Sequence, residues 1–545
     1  MSPGLRVALV GPIYQENLAL AYLSAVTRSA GHQAEVIAYS RRTELDRALR
    51  QVLELDPQVV GLGIAFQNNI DDYLLFLNEL RSRGYRGYLT AGGHVPTFCY
   101  AELMRDAPGL DSVVRHDGEE TFAAILGAVS DSKVPRDIPG LVWRDADRVV
   151  VGPIRPVVAN LDSLPTAARS AEPFSVGGVV VDFVIAARGC VGECHYCSIA
   201  AYTEQQQKRY RLRSTRAVAD EIAELYHRRN ARVMFVQDDL FVLPSEKRTV
   251  ERVHALREEL LHRDAPDIAF WVKARPETVT PAVCVALREM GAVHLFLGIE
   301  NASAARLAYL GRTHLPLHND SAIAHCREHG IVPSFNFMLF DPDTSLDDAS
   351  ATLDLAAQHV DLPWNVCRTE IYSGTALRAR LEAEGRLRGD YRSFGYLMRD
   401  TRAEVMFRIL RVSLHERAFE MESLLNRLIS LSFARQIHQH FFAGSATDAL
   451  SREVTELGSA VRADTVASLR RTLEFVATDA AADAARVRRF AVAEALELGR
   501  KDMPWRSHTE RLWRHFTARG TLLSARRGLM PPARARADWQ VASGS

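Results

Sequence analysis

At 545 residues the chain is too long for one ordinary domain, so about two to four folding units are expected. Hydrophobic residues make up 47% and charged residues 25%, the composition of a globular chain able to bury a core without disulfides. Lys plus Arg number 67 against 67 for Asp plus Glu, so net charge gives no argument for nucleic acid or an acidic membrane as partner.

Near the N-terminus a single Arg precedes the apolar run, and no cleavage site of small residues follows it. That pattern predicts a strand at Leu5–Val10 rather than a signal peptide. A helix over Asn17–Ala30 follows, then strands at Ala34–Ala38, Val59–Gly63, Tyr88–Ala91 and Ser112–Val114 with helical segments between them. Strands separated by helices predict a parallel, doubly wound α/β domain over residues 1–130. Ligands bind at the carboxyl ends of such strands, here the loops Gly11–Tyr14, Ala65–Asn68 and Gly92–Thr97.

Over 131–176 the runs Ile138–Trp143 and Arg148–Val151 flank Asp145-Ala146-Asp147 and read as a small hairpin, followed by a linker carrying Pro153, Pro156 and Pro165. A second alternating series occupies 177–400, with strands at Val179–Ala187, Val233–Val236, Ala269–Ala274, Leu295–Ile299, Ser334–Leu339 and Trp364–Ile371. Six strands with intervening helices predict a partial (βα)6 barrel whose site lies at the strands' C-terminal ends. Residues 401–530 lose the strand signals and read as helical, and 531–545 as a disordered tail. The Arg-rich stretch from Arg486 to Arg536 reads as a solvated helical face. No apolar run reaches the roughly 18 residues that a membrane helix needs.

Seven cysteines, three of them clustered, argue for a reducing cytosol and for metal ligation rather than disulfides. Cys190, Cys194 and Cys197 follow an apolar strand within Arg188-Gly189-Cys190-Val191-Gly192-Glu193-Cys194-His195-Tyr196-Cys197. Thiolates so spaced can converge on one soft metal centre. Zinc would want a fourth protein ligand, whereas a four-iron cluster held by three cysteines keeps one iron open. Of the other cysteines, Cys284 and Cys326 read as core residues. Cys367, in the last barrel strand, reads as core or as facing a substrate.

The C-x3-C-x2-C spacing on the loop after the first barrel strand, with Tyr196 before the third Cys, resembles the radical S-adenosylmethionine (SAM) superfamily. The resemblance implies a [4Fe–4S] cluster whose open iron chelates SAM, and an electron that releases a 5′-deoxyadenosyl radical. It also implies SAM contacts at Asp238 and Asp239 after the second strand, at Lys273 and Arg275 ending the third, and at Glu300 closing the fourth. Read from residues alone, the acidic pair and Glu300 would merely cap helices, and Lys273 and Arg275 would face solvent. Tyr372–Leu377 resembles a family landmark after the sixth strand.

The doubly wound domain ahead of the barrel, with Glu16–Leu23, Gly92–Thr97 and His116–Phe122, is similar to the cobalamin-binding subclass over roughly residues 5–400. The resemblance implies cobalamin, with Phe66, Gln67 and Asn68 toward the lower face of the corrin and Gly92 and Gly93 admitting its nucleotide tail. None of His32, His94 or His116 stands in a D-x-H-x-x-G context, so no histidine is expected below cobalt. No G-x-G-x-x-G follows a strand, which disfavours a nicotinamide or flavin domain.

The expected function is therefore a cytoplasmic cobalamin-dependent radical SAM methyltransferase of specialised metabolism, acting on an unactivated carbon or on phosphorus. The alternatives are ring formation, rearrangement or oxidation without methyl transfer, and a non-catalytic sensor. Expected partners are a small-molecule or peptide substrate and an electron donor such as flavodoxin or ferredoxin, with no nucleic acid and no membrane.

Overall fold

The computed structural model describes residues 4–526 apart from 14, 170, 171 and 207, without the side chains of residues 68, 525 and 526. The expected tail over 531–545, the end of the Arg-rich stretch, Tyr14 and the Asn68 side chain lie outside the described residues. The chain forms two compact units, each assembled from separated stretches. One joins residues 1–171, 188–213 and 370–395; the other joins 172–187, 214–369 and 396 onward.

The first unit is built on a seven-stranded sheet of β1 (Arg6–Gly11), β2 (Gln33–Ala38), β3 (Val59–Gly63), β4 (Tyr88–Gly92), β5 (Ser112–Val114), β6 (Leu141–Asp145) and β7 (Arg148–Val151), in the order 2-1-3-4-5-6-7. The first five strands are parallel, and the expected hairpin extends the same sheet antiparallel from β5. Alternation along β1 explains the layers. Val7 and Leu9 join a core with Phe122 and Ile125 on one face, while Ala8 and Val10 join Phe76 and Leu77 on the other. Asn17 caps the first helix, Leu18–Ser29, its side chain accepting from Leu20 N at 3.2 Å.

The second unit holds β8 (Phe174–Val176) and β9 (Val179–Val184); after them β10 (Ala187–Gly189) pairs with β11 (Tyr210–Leu212) in a separate ribbon. The main sheet continues with β12 (Val233–Val236), β13 (Ala269–Ala274), β14 (Ala292–Leu297), β15 (Val332–Phe340) and β16 (Trp364–Arg368), in the order 16-15-14-13-12-9-8. From β9 to β16 neighbours run parallel and in chain order. Right-handed crossovers in that order put the connecting helices on one face and leave the other for side chains.

Several strand ends shift from expectation, β9, β14 and β16 by three residues, and for β14 and β9 the reasons are local. β14 begins at Ala292 because Gly291, at φ 104°, turns the chain directly out of a helix; a Cβ there would lie 2.2 Å from Ile268 O. It ends before Glu300 because Glu300 is left-handed, at φ 63°. β9 stops at Val184 because the backbone N–H groups of Ala186 and Ala187 turn toward Asp238 Oδ1, at 2.7 and 3.0 Å.

Candidate functional site

In the first unit the cysteine loop opens at Gly189, whose φ of 83° and close approach to Arg209 O, 2.0 Å from where a Cβ would stand, require glycine. Cys194 is buried, and Cys190 and Cys197 are half-buried. Gly192 N–H points at Cys190 Sγ at 3.3 Å, the kind of donor that stabilises a cluster thiolate. Cys197 N–H donates to Cys194 O at 3.1 Å, and the helix Ser198–Glu204 starts immediately after it. Among the described residues no group of three or more His, Cys, Asp or Glu is gathered tightly enough for a single metal ion. A four-iron cluster asks for a wider arrangement, with each thiolate on its own iron, and three cysteines outside any disulfide together with the N–H donor fit that group.

The loop is anchored on both sides. Arg188, just ahead of it, donates to Glu119 Oε1 at 2.5 Å and lies 3.7 Å from Asp117, which also takes Arg211 at 2.7 Å. From the landmark segment after β16, Leu377 N–H donates to His195 O at 2.8 Å. That segment also receives the Gln67 amide on Ile371 O at 2.6 Å and the Cys99 thiol on Ser373 Oγ at 2.9 Å.

At the carboxyl edge of the first sheet, Phe66 is 40% exposed and open to a ligand. Gln67 is buried, and its side-chain amide donates to Ile371 O. Gly93 has φ 116°, and a Cβ would stand 2.4 Å from Ile64 O. Its glycine is thus required by the neighbouring strand itself, a reason other than the nucleotide tail. At Gly92 a Cβ would meet only ordinary contact, nearest at 3.5 Å, so that position stays open to close approach.

His94 and His116, after β4 and β5, both pack edge-on against Tyr202, with ring centroids 4.8 and 4.9 Å away. Burial pushes His94 down to about 4, and burial and then Arg115 lower His116, so both are neutral near pH 7. Neither ring nitrogen of His116 meets a hydrogen-bond partner. An exposed Phe66 and an unobstructed Gly92 at the carboxyl edge of a parallel sheet fit a large planar cofactor such as cobalamin. His32 lies at the opposite edge, where its Nδ1 accepts from Leu5 N at 3.2 Å.

In the second unit the loops after β12, β13 and β14 carry the other expected residues. Asp238 is 1% exposed and holds the turn at Ala186 and Ala187; burial raises it to about 7. It sets the strand exit ahead of the cysteine loop, while Asp239 is exposed. Arg275 is also engaged internally, donating to Glu277 at 2.6 Å and Thr313 at 2.9 Å. Glu300 keeps its carboxylate half-buried 3.7 Å from Arg312, on a left-handed backbone that costs a non-glycine about 1–2 kcal/mol.

Sequence reading missed the inward wall of this sheet. Phe235 and Trp271 stack with centroids 3.9 Å apart and planes 14° apart, and His294 follows at 5.5 Å and 15°. These three make an aromatic floor. Beneath it the helix Leu424–Phe441 closes the end: His294 Nδ1 donates to Gln436 Oε1 at 2.9 Å, and its Nε2 accepts from Ser334 Oγ at 2.6 Å. Burial holds His294 neutral, at about 3. Asn365 Nδ2 likewise donates to Asn426 Oδ1 at 2.8 Å, so the C-terminal helices form the base of the partial barrel.

One pleat further along, Gln237, Lys273, Phe296, Asn336, Met338 and Cys367 are all half-buried, while Val236, Val272, Leu295, Phe337 and Val366 between them are buried. That alternation places the half-buried side chains together on the inward face. The period-2 pattern was readable from the sequence, but which of its two faces stays open was not.

Residues 7–126 match the B12 binding domain family and residues 184–356 the Radical SAM superfamily. The chain is 26% identical over 343 residues to the uncharacterized methyltransferase PH0819 of Pyrococcus horikoshii, covering 62% of this chain and 72% of that protein. It is 25% identical over 365 residues to the anaerobic magnesium-protoporphyrin IX monomethyl ester cyclase of Cereibacter sphaeroides, covering 62% of this chain and 57% of that one. The fold is that of the cobalamin-dependent SAM radical enzyme OxsB, with a TM-score of 0.63 and 15% identity over 91% of this chain and 84% of that one. Among the described residues no helix is long and apolar enough to cross a membrane.

Proposed function

Because the chain belongs to the radical SAM enzymes that carry a B12-binding domain, we propose that it is a methyltransferase acting on a small molecule at an unactivated carbon or phosphorus centre. Supporting this reading is the union of the two matched domains with a curated relative named as a methyltransferase. The cluster and SAM together supply a 5′-deoxyadenosyl radical, and cobalamin supplies a carrier for the methyl group.

In this reading Cys190, Cys194 and Cys197 hold the cluster, with Gly192 N–H supporting one thiolate and the Arg188 ion pairs fixing the loop. Phe66 and Gly92 would hold cobalamin, and no histidine of this domain would ligate its cobalt. Electron paramagnetic resonance of the Co(II) state tests that last point, and splitting from a protein nitrogen would contradict it. Tyr196, Asp239 and Glu300 accompany SAM, with Asp238 and Arg275 as supports. The domain bounds of this reading are 1–130 for the corrinoid domain, 131–176 for the hairpin and linker, 177–400 for the barrel and 401–530 for the helical region, of which 527–530 lie outside the described residues. A reduced flavodoxin or ferredoxin supplies electrons, in the cytoplasm.

Methyl transfer by this route uses SAM twice. With methyl-deuterated SAM and the true substrate, the label should enter the product with one S-adenosylhomocysteine and one 5′-deoxyadenosine per methylation. The cyclase relative supports a second reading, ring formation without methyl transfer. In that case 5′-deoxyadenosine would form without matching S-adenosylhomocysteine.

A further inference from the structure

The inward wall of the partial barrel contains a cation with no assigned partner. Lys273 lies on β13, one pleat along from the stacked Trp271, and is half-buried. The cations on the neighbouring loops are paired: Arg275 with Glu277, Arg312 with Glu300, and Arg306 with Asp341 and Asp348. Among the described residues no carboxylate lies within salt-bridge distance of Lys273, and its side chain makes no hydrogen bond. A half-buried ammonium without a counter-charge is costly unless a ligand provides one.

The surroundings narrow what that ligand is. Phe235, Trp271 and His294 present a flat, uncharged floor, with His294 held neutral by its burial. Phe296 and Met338 add apolar wall on the same face. Opposite polarity comes from Asn336, whose Oδ1 is buried and meets no donor. Such a wall matches a small molecule with a flat or unsaturated apolar body and one oxyanion.

We propose that Lys273 is a specificity-determining residue that seats an oxyanion of the substrate, a carboxylate, phosphonate or phosphate, above the aromatic floor. The proposal rests on the enzymatic reading above and names the substrate class of that site. It moves Lys273 from the SAM carboxylate, where the family resemblance put it, to the substrate. Position on the strand itself, rather than on the loops that carry Asp239 and Glu300, favours this assignment.

The test uses full-length, cluster-reconstituted protein and two probes of equal shape, 2-naphthoate and its neutral amide, titrated by calorimetry. Wild type should bind the acid about tenfold or more tightly than the amide, the margin of a charge-assisted contact. Lys273→Met should erase the difference, and Lys273→Arg should keep most of it. SAM, titrated into the same proteins, should bind Lys273→Met as it binds wild type. Equal binding of acid and amide to wild type, binding of neither, or a SAM affinity about tenfold weaker in Lys273→Met would overturn the proposal. If Lys273→Met does not fold by circular dichroism, the wild-type and Lys273→Arg contrasts decide it. Formation of 5′-deoxyadenosine by wild type under reducing conditions separately decides the enzymatic reading, so either can fail alone.

Discussion

The two seven-stranded sheets differ in one topological respect, and their sites follow from it. In the first, the order 2-1-3 reverses at β1, so helices cover both faces and the sheet interior is packed solid. A ligand can then reach only the carboxyl edge, near the switch point where the loops after β1 and β3 diverge. In the second, β9 to β16 follow chain order, helices lie on one face, and the other becomes a wall of side chains. An open sheet offers loops and backbone to a large preformed cofactor. A curling sheet offers a lined cavity, whose chemistry can be changed one strand residue at a time.

The largest expected effect separates the cysteine loop from both sheets. Replacing Cys190, Cys194 and Cys197 together by Ala should remove about four irons per chain and abolish SAM cleavage. Far-ultraviolet circular dichroism should hardly change, since the three side chains lie on a loop outside the strands of both sheets. Loss of the fold along with the iron would show that the comparison draws the boundary in the wrong place.

Next come backbone-limited positions. Gly93→Ala places a Cβ 2.4 Å from Ile64 O on a φ of 116°, and should destabilise the first sheet by about 3 kcal/mol or more in denaturant titrations. Asp238→Ala leaves the N–H groups of Ala186 and Ala187 unpaired, at about 2–4 kcal/mol. Asp238→Asn can still accept both and should cost about 1 kcal/mol or less. It should also remove a pH dependence. Asp238, raised from 3.8 to about 7, keeps a proton when folded that it releases when unfolded. Its contribution is therefore full below pH 3.8 and falls as pH rises toward about 7, and the Asn variant should lack that slope.

The smallest stability effect is expected at Gly92→Ala, within about 0.5 kcal/mol, because the new methyl would meet only ordinary contacts. Corrinoid retention should nevertheless drop if cobalamin approaches there. A variant that keeps both stability and corrinoid would remove Gly92 from the site.

Much of this architecture was legible. Val59–Gly63, Ser112–Val114, Val233–Val236 and Ala269–Ala274 occupy the ranges expected from their apolar runs and flanking turn signals. The cysteine spacing pointed to its cofactor because thiolate chemistry depends on local sequence. What stayed hidden depends on partners distant in the chain. The hydrogen bonds of Asp238 reach residues some fifty positions earlier. The requirement for glycine at position 93 comes from Ile64, on the neighbouring strand's exit. The C-terminal helices showed no function at all before Gln436 and Asn426 were found closing the barrel base.

The central claim is that the cluster and the corrinoid have separate protein determinants, the cysteine loop and the carboxyl edge of the first sheet. Iron and cobalt analysis of wild type and the triple cysteine variant, both reconstituted anaerobically with iron, sulfide and cobalamin, tests it most directly. Wild type should carry about four irons and one cobalt per chain, and the variant no iron with its cobalt retained. Iron that persists in the variant, or cobalt that is lost with the iron from a folded protein, would contradict the account.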